Sequence, residues 1–182
     1  YDDVDGLIYF KTPKTFVNGN AVIAALNESG DIVWSWNIWA VEGWDADATS
    51  RKAGRYTVMD RNLGAVLGLS AKDISDNVKA AGAIGNYYQW GRKDPFLGAL
   101  SIICDIEAKS TGTWPSAVSS NSTKGTIEYA TAYPTTFIKC NSSNDDWYYT
   151  GSSTTDNTRW TTSTATKSIY DPCPSGWRVP DG

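Results

Sequence analysis

Between residues 20 and 39 two apolar stretches flank a polar interruption: NAVIAAL, then NESGD, then IVWSWNIW. Each stretch has the length of a strand, and the Asn, Ser, Gly and Asp between them are turn residues, so the pattern predicts a β-hairpin. Within the second stretch a period of two puts Ile32, Trp34, Trp36 and Ile38 on one face and Val33, Ser35, Asn37 and Trp39 on the other. The first set is expected to form the core. The mixed set is expected to border it, with Trp39 capping the sheet edge or covered by the next segment. Upstream, Asp2, Asp3 and Asp5 make a polar lead, and residues 7–10 read as a short strand closed by Thr12 and Pro13. Residues 1–19 are thus a lead segment with a first strand, and residues 20–182 a single domain. Residues 43–54 read as an exposed loop, residues 55–60 as a strand, and residues 61–65 as a turn with Gly64 at a special backbone angle.

The period becomes helical over residues 70–83 (SAKDISDNVKAAGA). Ser70 can cap, Asp73 sits at the third helical position, Ile74 and Val78 lie four apart, and Gly82 is expected to end the helix. Residues 85–96, GNYYQWGRKDPF, follow. Glycines permit angles forbidden to other residues, and Pro95 holds Asp94 extended. Burying one aromatic ring removes about 200 Å² from water, worth at most ~5 kcal/mol, against ~1.5 kcal/mol to order a residue. This loop is therefore expected to be rigid with its rings inward, while Arg92 and Asp94 bond unpaired backbone groups. The same residues would also suit a ligand platform of rings beside a charged fork. Residues 97–106 read as an apolar strand or buried connection. Residues 107–126 and 141–167 read as long, Thr- and Ser-rich connections of little regular structure. Near the end, Trp177 and Val179 share one face of a short strand and Arg178 takes the other.

Composition narrows the class. Among 182 residues, 41% are hydrophobic and 20% charged, with nine Trp and ten Tyr, a balance that is globular and suits strands and loop cores. The fold class expected is α+β, mainly antiparallel β with one or two helices and long loops. A net charge of −4 offers no basic field, so nucleic acid is not an expected partner. No run approaches the ~20 apolar residues of a membrane span. The chain begins at Tyr1 without an initiator Met, as a processed chain or a fragment would. Cys104, Cys140 and Cys173 form no CxxC pair; a Cys140–Cys173 bridge and three free thiols are both open. Histidine is absent, which removes the usual general base, the usual protease triad and the commonest transition-metal ligand.

Candidate chemistry lies in the loops. Trp44, Asp45, Asp47, Trp114, Asp145, Asp146, Trp147, Tyr148 and Tyr149 combine rings that stack on sugars with groups that bond hydroxyls. Loop packing and solvation is the plainer reading of each. Asp45 and Asp47 offer oxygens to calcium, but not at EF-hand spacing, and no metal or other cofactor is expected. Adjacent Asp145 and Asp146 would point oppositely on a strand, which does not suit paired-carboxylate catalysis. Asn27, Asn121 and Asn141 begin Asn-x-Ser/Thr triplets, which arise by chance at this Ser/Thr content.

Three blocks stand in order: MDRNLGA at residues 59–65, with Asp60, Arg61 and Asn62; GNYYQWGRKDPF at residues 85–96, with Tyr88, Trp90, Arg92 and Asp94; and YDPCPSGWRVP at residues 170–180, with Cys173, Trp177 and Arg178. With the Trp-rich hairpin before them, they resemble the C-terminal region of Bacteroidetes surface proteins related to fimbrillins and the Fibrobacter succinogenes major paralogous domain. That resemblance implies a C-type-lectin-like fold, also similar to formylglycine-generating enzymes, in a secreted or lipid-anchored adhesion or fimbrial module without catalysis. It implies an extracellular, cell-surface location. The implied partners are a host protein or glycan, or neighbouring fimbrial subunits. The related oxidases use a paired-cysteine metal site, and no close cysteine pair stands in this sequence. In the family the last block usually continues into a helix opening with Glu-Trp; here Asp181 and Gly182 follow instead, the expectation for a fragment.

Overall fold

The computed structural model describes residues 8–68, 77–98, 115–140, 145–155, 157–161 and 166–180. The hairpin forms as its pattern predicts. Strand β1 (Gly19–Leu26) pairs antiparallel with β2 (Ile32–Ala40), Asn20 opposite Trp39 and Ala25 opposite Trp34. Asn27 closes the turn: its backbone N–H donates to the Asp31 carbonyl at 2.9 Å, and its Oδ1 accepts from the N–H of Ser29 and of Asp31. A second hairpin joins β3 (Arg51–Ala53) to β4 (Tyr56–Val58) around Gly54, whose φ of +61° suits a tight turn. Sequence pattern assigned residues 51–53 to an exposed loop. They are a strand, and because every residue of β3 and β4 is exposed, no hydrophobic alternation marks them.

Helix α1 (Asn77–Ile84) leads into β5 (Asn86–Tyr87), which pairs antiparallel with β6 (Phe96–Leu97). Gly82 does not end α1. It lies within the helix, where its carbonyl accepts from the N–H of Val66 and Leu67, and a Cβ there would press the Leu67 side chain at 3.0 Å. The helix stops instead at Gly85, in the left-handed region with φ of +72°. Ser70, Asp73 and Ile74 lie outside the described residues. Strand β7 (Ala117–Ser119) runs parallel to β8 (Phe137–Lys139), connected through α2 (Ile127–Ala132) as a parallel pair requires. Regular structure thus occupies part of a stretch expected to be irregular. Among the described residues the sheets are four separate two-stranded pairs, three of them antiparallel, an α+β arrangement of small sheets. Residues 8–10 form no strand and are exposed, and among the described residues no neighbour supplies a ladder. Residues 177–179 pair with no strand either, although Trp177 and Val179 are partly buried and Arg178 is exposed. Residues 99–114, including Trp114 and Cys104, lie outside the described residues, and no described helix is long and apolar enough to cross a membrane.

The core departs from expectation in what it buries. Trp90 is 41% exposed and Tyr87 44%, whereas Arg92 is 2% exposed and Asp94 3%. Arg92 Nη1 donates to the Thr136 carbonyl and to Gln89 Oε1, each at 2.8 Å, and Nη2 to the Tyr133 and Pro134 carbonyls at 3.3 and 3.2 Å. Those carbonyls leave the C-terminal end of α2, where peptide dipoles favour a cation. Burial draws this guanidinium down to about 10, still protonated at neutral pH. Gln89 completes the junction: its amide donates to the Ile138 carbonyl at 2.7 Å and accepts from the Ile138 N–H at 3.1 Å, acting as a strand partner for β8. Ile138 is fully buried with Ala130 and Trp147. The Trp147 indole donates to the Trp90 carbonyl at 2.6 Å and lies within cation–π reach of both Arg92 and Arg159, and Arg159 bonds both oxygens of Asp146.

The face of β2 expected to form the core is only partly buried, while Ser35, on the mixed face, is 2% exposed. Its Oγ donates to Asp94 Oδ1 at 2.5 Å and accepts from Lys93 Nζ, which also reaches Asp94 at 2.8 Å and stands over the Trp34 ring. Polar contacts therefore choose which side of the hairpin meets the loop.

Arg92→Lys is expected to destabilise the fold by about 2–4 kcal/mol in urea denaturation, because a point ammonium cannot reach the spread of carbonyls that the planar fork does. Gly91→Ala is expected to cost about 1–3 kcal/mol, since φ is +82° and the new Cβ would stand 2.5 Å from Arg159 Nε. A loss under ~0.5 kcal/mol for Arg92→Lys would mean that the guanidinium is not the brace.

Candidate functional site

Residues 44–50 fold around Asp45, whose Oδ1 accepts from the N–H of Asp47 at 2.8 Å and of Ala48 at 3.0 Å. That turn sets Trp44 beside Trp39, ring centroids 4.5 Å apart. The Trp44 indole donates to Thr49 Oγ1 at 2.9 Å and to Asp60 Oδ1 at 3.0 Å. Asp60 is bound by Arg61 through two 2.9 Å contacts, and the Arg61 guanidinium stands 4.7 Å from the Trp44 ring centre. The hydrogen bond from Arg61 holds the Asp60 carboxyl below its ordinary value, against the opposing effect of burial and with help from Trp44. Asn62 donates to the Ala83 and Ile84 carbonyls, tying this block to the end of α1.

The C-terminal block supplies a second wall. Asp171 accepts from Lys167 Nζ at 2.7 Å, from the Cys173 N–H at 2.8 Å and from the Val179 N–H at 2.8 Å. The Trp177 indole donates to Asp47 Oδ1 at 3.1 Å, joining this wall to the Trp44 turn across 130 residues of chain. Between the walls lies a cleft of about 450 Å³ lined by Asn37, Trp39, Val41, Trp44, Ala46, Leu63, Tyr88, Pro172, Cys173 and Pro174. No charged side chain is among them. Burial pushes the Tyr88 phenol up to about 12, opposed by its bond to Asn86, and pushes the Cys173 thiol up to about 12, with Asp171 adding to the rise. At neutral pH the lining, among the described residues, is uncharged.

The sequence-derived candidates separate accordingly. Trp44 lines the cleft, and Asp45 and Asp47 brace it. Asp146 and Trp147 are buried and turn no free face to a ligand; Tyr148 packs on that core below Arg159, and Tyr149 is partly buried. Asp145 is exposed with φ of +54°, next to Cys140. Of the motif residues, Tyr88 and Cys173 line the cleft, Asp60, Arg61, Asn62 and Trp177 hold its walls, and Arg92 and Asp94 lie buried in the core. Trp90 stacks on Trp160 at 4.5 Å, and Arg178 is exposed. Cys140 and Cys173 are free thiols. Among the described residues no group of three or more Cys, Asp or Glu is placed to hold a metal ion.

Three asparagines were not anticipated. Asn20 Nδ2 donates to the Gly64 carbonyl at 2.7 Å, and Asn20 Oδ1 accepts from Asn86 at 3.1 Å and Asn37 at 3.3 Å. Gly64, with φ of +80°, must be glycine here, as a Cβ would meet Asn86 at 2.3 Å. The available signal was asparagine inside a strand, where it is depleted. In the hairpin register Asn20 and Asn37 fall on one face.

Ser35, Lys93 and Asp94 superficially match a nucleophile with its base. Burial lowers the Lys93 pKa, partly offset by Asp94. The space beside the pair, lined by Lys93 and Asp94, is about 10 Å³, room for one water rather than a substrate. The trio staples β2 to the loop.

No protein-family model, curated protein or solved structure matches this chain.

In the native protein at about pH 8, iodoacetamide is expected to label Cys140 much faster than Cys173, whose thiol burial keeps protonated, and denaturation is expected to remove most of that difference, as read by peptide mass mapping. The native state favours the neutral thiol and phenol, whose pKa values folding raises from 9.0 and 10.0 to about 12. This contribution to stability is present in full below pH 9 and is lost as pH rises to about 12, so urea midpoints are expected to fall across that window. A flat alkaline profile would contradict the buried placement.

Proposed function

We propose that this chain is a noncatalytic, cell-surface adhesion module of C-type-lectin-like fold, and that the aromatic cleft binds a neutral saccharide. One observation carries the reading: two indoles, a phenol and prolines wall an uncharged cleft that also presents the Asn37 amide. Ring faces suit the apolar faces of pyranoses, and an amide bonds hydroxyls. A charged ligand would lose hydration without gaining a partner ion there. The sequence blocks that resemble the fimbrillin-related surface proteins supply Leu63, Tyr88, Pro172, Cys173 and Pro174 to this cleft, and the hairpin before them supplies Asn37 and Trp39. The resemblance implies an extracellular location and, as partner, a host protein or glycan or neighbouring fimbrial subunits, of which the uncharged cleft favours the glycan. A second reading, a subunit of a surface appendage, is favoured by the two-stranded β1–β2 sheet, where Val22, Leu26 and Val33 are exposed.

On a glycan array the folded protein is expected to bind neutral oligosaccharides and not sialylated or sulfated ones. Trp44→Ala is expected to weaken the best hit about tenfold or more by tryptophan-fluorescence titration, in line with the ~1.5–3 kcal/mol of a buried aromatic contact. Absence of any neutral hit above background overturns the saccharide reading.

A further inference from the structure

The β3–β4 hairpin carries the opposite charge to the rest of the chain. Residues 48–59 hold Arg51, Lys52 and Arg55 and no Asp or Glu, a local charge of +3; the other 13 Lys and Arg face 20 Asp and Glu, a net of −7. The hairpin is exposed throughout yet held at its base, where the Trp44 indole donates to Thr49 Oγ1 on one side and to Asp60 Oδ1 on the other. Its register puts Arg51 opposite Val58 and Ala53 opposite Tyr56 on one face, and Lys52 opposite Thr57 on the other. Arg55 reaches back over Tyr56, donating to its hydroxyl at 2.6 Å with the guanidinium 4.9 Å from the ring centre. The first face therefore presents two guanidiniums beside Tyr56 and Val58, which are 52% and 40% exposed. Neither guanidinium pairs with a carboxylate among the described residues.

The complementary mixture stands at the turn between β1 and β2. Glu28 and Asp31 are exposed there, flanked by Leu26 and Val33, themselves 59% and 50% exposed. Neither carboxylate pairs with a cation among the described residues. No hydrogen bond joins this hairpin to the β3–β4 hairpin within one chain, so the two charge sets are left to meet between chains. Opposite charge beside exposed apolar side chains is the arrangement that steers and then seats a partner. An acidic molecule with one basic projection is in this sense complementary to a copy of itself.

We infer that the β3–β4 hairpin of one copy docks on the β1–β2 turn of a second copy, Arg51 and Arg55 meeting Glu28 and Asp31, and Tyr56 and Val58 meeting Leu26 and Val33. This rests on the reading of the chain as a subunit and names the two surfaces through which subunits meet. The contact is heterologous: each docked copy still offers one free hairpin or turn to another. It uses no residue that lines the aromatic cleft. Two hairpin ends bury little area, so the association is weak, with a dissociation constant of about 0.1–1 mM.

Sedimentation velocity on the whole chain tests this, with Arg51→Gln/Arg55→Gln as one variant and Glu28→Gln/Asp31→Asn as the other. The parent is expected to associate in dilute buffer and to bind at least about tenfold more weakly when salt rises from ~0.02 to ~0.5 M, because the ion pairs are screened. Each variant alone is expected to lose about tenfold or more in self-affinity, while melting within ~2 °C of the parent, as exposed positions allow. Mixed in equal amounts, the two variants are expected to form a one-to-one pair and nothing longer, since one intact hairpin and one intact turn remain. Parent association that neither salt nor the substitutions alter, or a mixture that forms no pair, overturns the hairpin docking and leaves the subunit reading standing. A parent that stays monomeric in dilute buffer up to ~1 mM overturns self-association altogether.

Discussion

A buried guanidinium governs the arrangement. Arg92 has lost its water, and its hydrogen bonds go to backbone carbonyls past α2 and to Gln89 rather than to a carboxylate. Such a charge is tolerated only where several acceptors converge, so the turn after α2 must approach the loop between β5 and β6. Gln89 then pairs with Ile138, Trp147 lies against the cation, and the parallel β7–β8 pair is locked to the antiparallel segments. One side chain thus links small sheets that share no ladder. Four two-stranded sheets have little cohesion of their own, since an isolated pair is marginal in water.

The same device recurs around the cleft with a different result. Asp60–Arg61, Lys167–Asp171 and the Trp177–Asp47 bond all stand behind its surface, fixing the backbone that presents Trp44, Pro172 and Pro174. Charge is placed one layer back, and rings, prolines and an amide are placed in front. A binding surface held in this way loses little entropy when a ligand docks, because its walls are already ordered by bonds the ligand does not disturb. It also selects against charged ligands without any repelling residue, simply by offering no counter-ion.

Ser35 shows how polar chemistry decided the packing side. Hydropathy favours the face with Trp34 and Trp36, yet the most buried residue of β2 is the serine, held by Lys93 and Asp94. A buried carboxylate and ammonium must be satisfied, and that requirement outranks the modest gain from turning one more ring inward.

Much of the local structure was legible along the chain. The β1–β2 hairpin with its Asn27 turn, the special angle at Gly64 and the turn-rich character of residues 85–96 follow from period and turn chemistry, which act between near neighbours. The blocks holding Asp60, Tyr88 and Cys173 also stood out as units. Their meeting did not. The Trp177–Asp47 bond spans 130 residues, the β7–α2–β8 crossover is set by packing on Trp147 and Arg92, and Asn20, Asn37 and Asn86 converge only once the hairpin lies against β5. Strand β4 was legible within residues 55–60, whereas its partner β3 was not, because a short, wholly exposed strand carries no hydrophobic signature. Local order was written in sequence because turns and alternation depend on adjacent residues; the cleft and its neutral lining were decided by tertiary structure, because they depend on which distant polar groups find partners when water is removed.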